Sequence, residues 1–227
     1  MILRCRNVTR CYPRVGLAPL VAVDRADLDL DEGEFIAIEG PSGSGKTTLL
    51  GLLAGLELPD EGEIEVLGHD LQRLSPTERA RLRQRRLGLV FQSFGLVSAL
   101  GAGENVALPL ALARVPESER LRRAAAALED VGLAIPFHAR IDELSGGERQ
   151  RVGVARALAA DPAVILADEP TGSLDAQTGS IVLDLLEDAA RRRGISLVLV
   201  THDPSSAARA DHRYRILDGR LSAGGAA

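Results

Sequence analysis

Between a short apolar run, EFIAIE, and an apolar helical pattern, KTTLLGLLAGL, lies the stretch GPSGSGKTT, Gly40 to Thr48. Its spacing is G-x-x-x-x-G-K-[ST] in a strand-to-helix setting, and no other stretch restricts the fold as strongly. Gly40, Gly43 and Gly45, with Ser42 and Ser44 between them, let successive N–H groups wrap phosphate oxygens. Lys46 adds a cation for the outer phosphates, and Thr47, followed by Thr48, offers a hydroxyl to Mg²⁺. A strand that runs through such a loop into a helix indicates an α/β chain.

The rest of the sequence extends that pattern. ILRCRNV, the alternating VAVDRADLDL and GEIEVLG read as strands. AVILADE and SLVLVTHD read as buried strands, separated by the helical DAQTGSIVLDLLEDAARRRG, whose apolar positions are Ile181, Val182, Leu185, Leu186 and Ala189. Arg191 to Arg193 and Gly194 suit the end of that helix. Apolar strands alternating with amphipathic helices imply a parallel sheet covered on both faces. Between about residues 93 and 160 the pattern turns wholly helical, so a helical lobe inserted into the α/β core is expected within a single domain spanning 1–227. The terminal SAGGAA is expected to fray.

Composition removes several alternatives. At 227 residues and 45% hydrophobic, the chain can bury a sizeable core. A formal charge of −5 gives no basis for broad attraction to nucleic acid, and the Arg-rich stretches at 79–86 and 120–123 read as solvated helix faces. Only Cys5 and Cys11 occur, without a second ligand pair, which excludes a zinc site or disulfide framework and suits a reducing cytosol. MILRCRNVTR lacks the continuous apolar run of a signal peptide. Leu87 to Gly103 carries no charge, but its glycines, serines and Gln92 fit loop chemistry better than a membrane span of roughly 17–25 apolar residues.

Two further motifs carry chemistry. In VILADEP a buried strand ends in Asp168 and Glu169, acids that beside a phosphate cradle suit a Mg²⁺ ligand and a water-orienting base respectively. In LSGGERQRVGVARAL, Ser145 and Glu148 have the spacing of a capping box at a helix start. Gly146 and Gly147 are costly in a first helical turn, which points to close approach of an anion to the backbone.

With these motifs in this order, the whole chain resembles the nucleotide-binding subunits of ABC transporters. The resemblance implies a RecA-like P-loop core with a mainly parallel sheet, an antiparallel β subdomain and an inserted α-helical subdomain. It also implies a signature turn at LSGGERQ, a lobe-junction glutamine at Gln92 in VFQSF, an SLD loop ending at Asp175 and a switch histidine at His202 in LVTHD. Gln92, following the α/β core, is suited to sense the γ-phosphate or Mg²⁺, and His202 follows a strand at the same sheet edge as the phosphates. The family stacks an early aromatic on adenine, and Tyr12 is the matching position, with packing beneath a hairpin as its other reading.

By the same resemblance, ATP and Mg²⁺ are the ligands. Ser145 of one copy faces the γ-phosphate held by another, giving a homodimer with two ATP sites. Integral membrane permease subunits are expected near Gln92 and the helical lobe, which keeps the chain peripheral at the inner face of the cell membrane. FIAIEGPSGSGKTTLL, RRLGLVFQSFGLVSALGAGENVALPL and ADEPTGSLDAQTG are similar to ATPases of lipoprotein-release, macrolide-efflux and antimicrobial-peptide transporters. VSALGAGENV departs from the usual form at Val97, Ser98 and Gly101. A cell-division ATPase with nearly the same motifs, and a soluble ABC protein acting on DNA or ribosomes, are the alternatives.

Overall fold

The structure, a computed structural model, describes residues 1–224. In chain order the elements are β1 (Leu3–Arg14), β2 (Leu17–Leu30), β3 (Phe35–Glu39), α1 (Lys46–Leu53), β4 (Glu61–Val66), β5 (His69–Asp70) and α2 (Pro76–Arg86). Then come β6 (Leu87–Phe91), α3 (Ala102–Leu112), α4 (Glu117–Asp130), a 3₁₀ turn (Ile141–Glu143), α5 (Gly146–Ala159), β7 (Val164–Asp168) and α6 (Ala176–Arg193). The chain closes with β8 (Ser196–Thr201), α7 (Pro204–Ala207), β9 (His212–Leu217) and β10 (Arg220–Ala223). Two compact units result, one made of residues 1–80 and the segment from 196 onward, the other of residues 81–195.

In the first unit, the order β2-β1-β4-β5 forms an antiparallel sheet. Along β1 the inward positions Leu3, Cys5 and Val8 are buried against exposed Arg4 and Asn7, the alternation of a half-buried strand. Burial pushes the Cys5 thiol up to about 12, so it stays protonated. The parallel strands behave differently: β3 is flanked by β8 and β9, and β8 is buried along its whole length, as expected where both faces are covered. Helix α1 packs on β8 through an apolar side that includes Leu49, Leu52 and Leu53. The strands β9 and β10 have too many arginines to advertise themselves, yet Ser222 and Ala223 pair with Arg215 and Tyr214 instead of fraying. The remainder of that tail, 225–227, lies outside the described residues.

In the second unit, β6 and β7 run parallel, from Leu87 opposite Val164 to Phe91 opposite Asp168. Helices α3, α4 and α5 pack on one another, and α5 also packs on β6 and α6. The buried face of α6 is Val182, Leu183, Leu186, Ala189 and Ala190; Ile181, read as part of the apolar face, is 46% exposed. The inward stripe begins at buried Gly179, where a Cβ would stand 3.2 Å from Thr171 Cβ, and continues through Val182 and Leu183. Asn105 organises the loop before α3. It is fully buried, accepts from the Val97 N–H at 2.8 Å and donates to the carbonyls of Val97, Leu100 and Gly101. Gly101, one of the departures from the usual form, has a structural reason: a Cβ there would stand 2.8 Å from His138 Cα.

Candidate active site

In the first unit, β3 delivers the chain into the phosphate loop and α1 begins at Lys46. Gly45 caps α1 in the left-handed region at φ 104°, where any Cβ would overlap the Ala22 carbonyl oxygen. At Gly40 a Cβ would overlap the Ile216 carbonyl. The loop is therefore pressed between β2 and β9, and the Gly219 N–H donates to the Ser44 carbonyl at 3.0 Å. Lys46 is 5% exposed and folds over its own loop, donating to the Gly40 and Pro41 carbonyls at 2.9 Å each. Ser42, Gly43 and Thr47 are exposed, whereas the Ser44 hydroxyl is buried and, among the described residues, lacks a hydrogen-bond partner. A curled loop of this kind, with a cation inside it and an unsatisfied hydroxyl, fits a phosphate chain.

The same unit brings His202 to the loop. Glu39 pairs with Thr201 across β3 and β8, and the Gly40 N–H donates to the Thr201 carbonyl at 3.3 Å. Exposed His202 is fixed from both sides, because the Asp203 N–H donates to Thr201 Oγ1 at 3.0 Å and Asp203 caps α7. The hydroxyls of Ser206 and Ser205 hold the Asp203 carboxyl down at about 2. Tyr12 lies opposite Leu20, two residues along β2 from Ala22. Its hydroxyl donates to Glu57, and the Arg10 guanidinium lies 5.0 Å from its ring centroid.

In the second unit, Gln92 follows β6 and Glu169 follows β7, so parallel pairing sets them side by side, with Asp168 closing β7. Glu169 has φ 44°, a left-handed conformation that is rare for a glutamate. A Cβ on Gly172 would stand 2.8 Å from Gln92 Nε2 and 3.3 Å from Glu169 Oε2. The amide and the carboxylate thus converge over that glycine. Ser173 Oγ donates to the Gln92 carbonyl at 3.2 Å, which joins the SLD turn to the same cluster.

Helix α5 starts on the expected capping box. The Ser145 hydroxyl donates to Glu148 Oε2 at 2.6 Å, and the Ser145 N–H donates to the same oxygen at 2.9 Å. These bonds lower the Glu148 pKa, the Ser145 hydroxyl contributing most. The two glycines serve different ends. At Gly147 a Cβ would overlap the Thr178 methyl on α6, so this glycine is required by helix packing, whatever else approaches it. At Gly146 the nearest neighbour, Leu174 Cδ2, is 3.4 Å away, an ordinary contact that leaves the backbone approachable. Asp175 caps α6, accepting from the Thr178 N–H and hydroxyl, which lower its pKa. Ser145, Gly146, Gly147 and Asp175 therefore share one edge.

Sequence reading names the SLD loop that holds Ser173 but overlooks the roles of Gly172, Arg149, Gln150 and Arg156. The last three project from α5 and reach Phe91, Phe94 and Gly95, contacts that join segments far apart in sequence and leave no local signal.

A family signature described as ABC transporter matches residues 23–172. The chain belongs to the ABC transporter family. This ABC protein is an ATP-binding and ATP-hydrolysing transporter subunit with the α/β P-loop fold of its family. It is 41% identical over 222 residues to a lipoprotein-releasing system ATP-binding protein, LolD, of Chromohalobacter salexigens, covering 98% of this chain and 93% of that one. It is also 41% identical to a macrolide export ATP-binding/permease protein, MacB, of Hyphomonas neptunium, covering 97% of this chain but 34% of the longer relative. Among solved structures, a dimeric post-hydrolysis state of the ATP-binding cassette MJ0796 bound to ADP and Pi superposes with a TM-score of 0.90. That comparison has 37% identity and covers 99% of this chain and 100% of the other. Among the described residues, no helix is long and apolar enough to cross a membrane.

Proposed function

We propose that residues 1–227 form one ABC ATPase domain, two copies of which close around two ATP molecules and drive a lipoprotein-releasing or export-type membrane partner. The observation that carries this reading is the unbroken run of contacts in the second unit. It passes from the Ser145 turn through Leu174 and Thr178 to Ser173, and so to Gln92 and Glu169. A turn that presents an exposed, capped helix N-terminus for a neighbour's phosphate is thereby tied to the residues of its own water-activating cluster. The dimeric cassette of similar sequence supports the pairing.

In this mechanism the N–H groups of Gly40 to Thr48 and the Lys46 ammonium hold the phosphate chain, and Tyr12 stacks on the base. When Mg²⁺ is bound, the Asp168 carboxylate, the Thr47 hydroxyl and the Gln92 amide oxygen would be its ligands, and the ion would neutralise charge on the phosphates. Glu169 orients the attacking water and takes its proton, while His202 contacts the γ-phosphate from the end of β8. The Ser145 N-terminus of the other copy stabilises the developing charge. ATP favours closure because only the closed pair offers both sets of contacts, and hydrolysis removes the bridge. Val97 and Leu112, 42% and 66% exposed, suit the helical lobe to a permease subunit at the inner membrane face.

One substitution isolates the convergence at Gly172. Its backbone suits alanine, and the atom that must yield is the end of a flexible glutamine, so Gly172→Ala should fold with a stability change below about 0.5 kcal/mol. Displacing Gln92 and crowding Glu169 should nevertheless reduce ATP turnover about tenfold or more. Thermal melts and phosphate-release rates on the same preparation check both halves.

The membrane assignment is tested by reconstituting the chain in proteoliposomes with the membrane protein encoded beside it. ATP-dependent release of an acylated lipoprotein to a soluble acceptor supports the lipoprotein reading. ATP-driven macrolide efflux supports the export reading, and stimulation of a cell-wall hydrolase without transport contradicts both.

A further inference from the structure

The segment that carries Gln92 is fastened to α5 on both sides of the glutamine. On its N-terminal side, Gln150 is fully buried and donates from Nε2 to the Phe91 carbonyl at 3.2 Å. On its C-terminal side, the Arg156 guanidinium donates to the Phe94 carbonyl at 3.1 Å and to the Gly95 carbonyl. Arg149 adds a contact over the Phe94 ring, 5.2 Å from its centroid. The two carbonyls held by Arg156 come from consecutive left-handed residues, Phe94 at φ 63° and Gly95 at φ 59°. A phenylalanine in that region costs free energy and persists only where its surroundings enforce it. Burial lowers the Arg156 pKa, yet among the described residues it forms no ion pair, so the loop carbonyls are its partners.

We propose that Arg156 is a positioning residue for Gln92: by clamping the strained Phe94–Gly95 turn it makes the glutamine segment and the Ser145 helix move as one body. Any displacement of Gln92 is then carried to the signature turn of the same copy without a flexible joint between them. The inference rests on the reading that Gln92 acts in ATP hydrolysis, and the test separates the two.

Arg156→Met keeps the side chain's length and apolar stem but removes both hydrogen bonds; Arg156→Lys retains one donor and remains informative if the methionine variant does not fold. Amides of residues 92–97 should exchange at least about tenfold faster in Arg156→Met, with β7 amides unchanged. The kcat for ATP should fall about tenfold with KM altered less than about twofold, and Arg156→Lys should lie between. In a Gln92→Ala background, Arg156→Met should cost less than about a further twofold, because both changes remove the same function. Multiplying losses in the double variant, or unchanged exchange at 92–97, overturns the proposal while leaving the role of Gln92 standing. A Gln92→Ala chain that hydrolyses ATP at the parent rate overturns the reading of Gln92, and the proposal with it.

Discussion

Glu169→Gln should stop ATP turnover while leaving ATP bound. Glutamine matches glutamate in size and can occupy the same turn at φ 44°, but its amide cannot accept the proton of the attacking water. General-base catalysis contributes about 10²–10⁴-fold, so phosphate release in a single turnover should slow by that factor. Affinity for ATP should change little, because the proposed mechanism assigns the binding contacts to the Gly40 to Thr48 loop and Lys46, not to Glu169. Hydrolysis in Glu169→Gln at the parent rate would reassign the base, with His202 the next residue to examine.

A comparably large effect is expected from a smaller change. Serine and aspartate accept the N-cap bond about equally well, so Ser145→Asp should still start α5, but it loses the hydroxyl that donates to Glu148 and sets a second carboxylate beside it, at a stability cost of about 1 kcal/mol. The new carboxylate would nevertheless face a γ-phosphate across the pair, and such like-charge juxtaposition costs several kcal/mol. ATP-driven pairing should be lost and turnover should fall about 10²-fold or more, with ATP binding to each separate chain unchanged. Ser145→Asn, equally good as a cap and uncharged, should retain most of the activity. Equal losses in the aspartate and asparagine variants would show that the hydroxyl matters for a reason other than charge at the phosphate.

What could be read before the structure was whatever local chemistry determines. The phosphate loop announces itself because its glycines answer steric demands that the chain makes at fixed spacing, as the overlaps at Gly40 and Gly45 make plain. The capping box at Ser145 is likewise local. The buried strands β7 and β8 follow from uninterrupted apolar runs, but β9 does not, since its arginines flank a single buried Ile216 and only pairing with β3 and β10 makes it a strand. The inward stripe of α6 likewise depends on what packs against it, so Ile181 is left exposed although its period fits the apolar face. The convergence of Gln92, Glu169 and Gly172 requires knowing that β6 and β7 are adjacent, and the grip of Arg156 on a loop far away in sequence leaves no local trace. Gly147 illustrates the opposite hazard: a glycine that seemed reserved for a ligand also has a packing partner in Thr178.

The proposal that a second chain completes the nucleotide site is tested directly by sedimentation of the Glu169→Gln protein with saturating ATP and Mg²⁺. The mass should rise from 24.1 kDa to twice that value when nucleotide is added, and return to 24.1 kDa when Ser145→Asp is introduced into the same chain. A protein that stays at 24.1 kDa with ATP bound, or pairs equally well with the aspartate in place, would contradict a site shared between two copies.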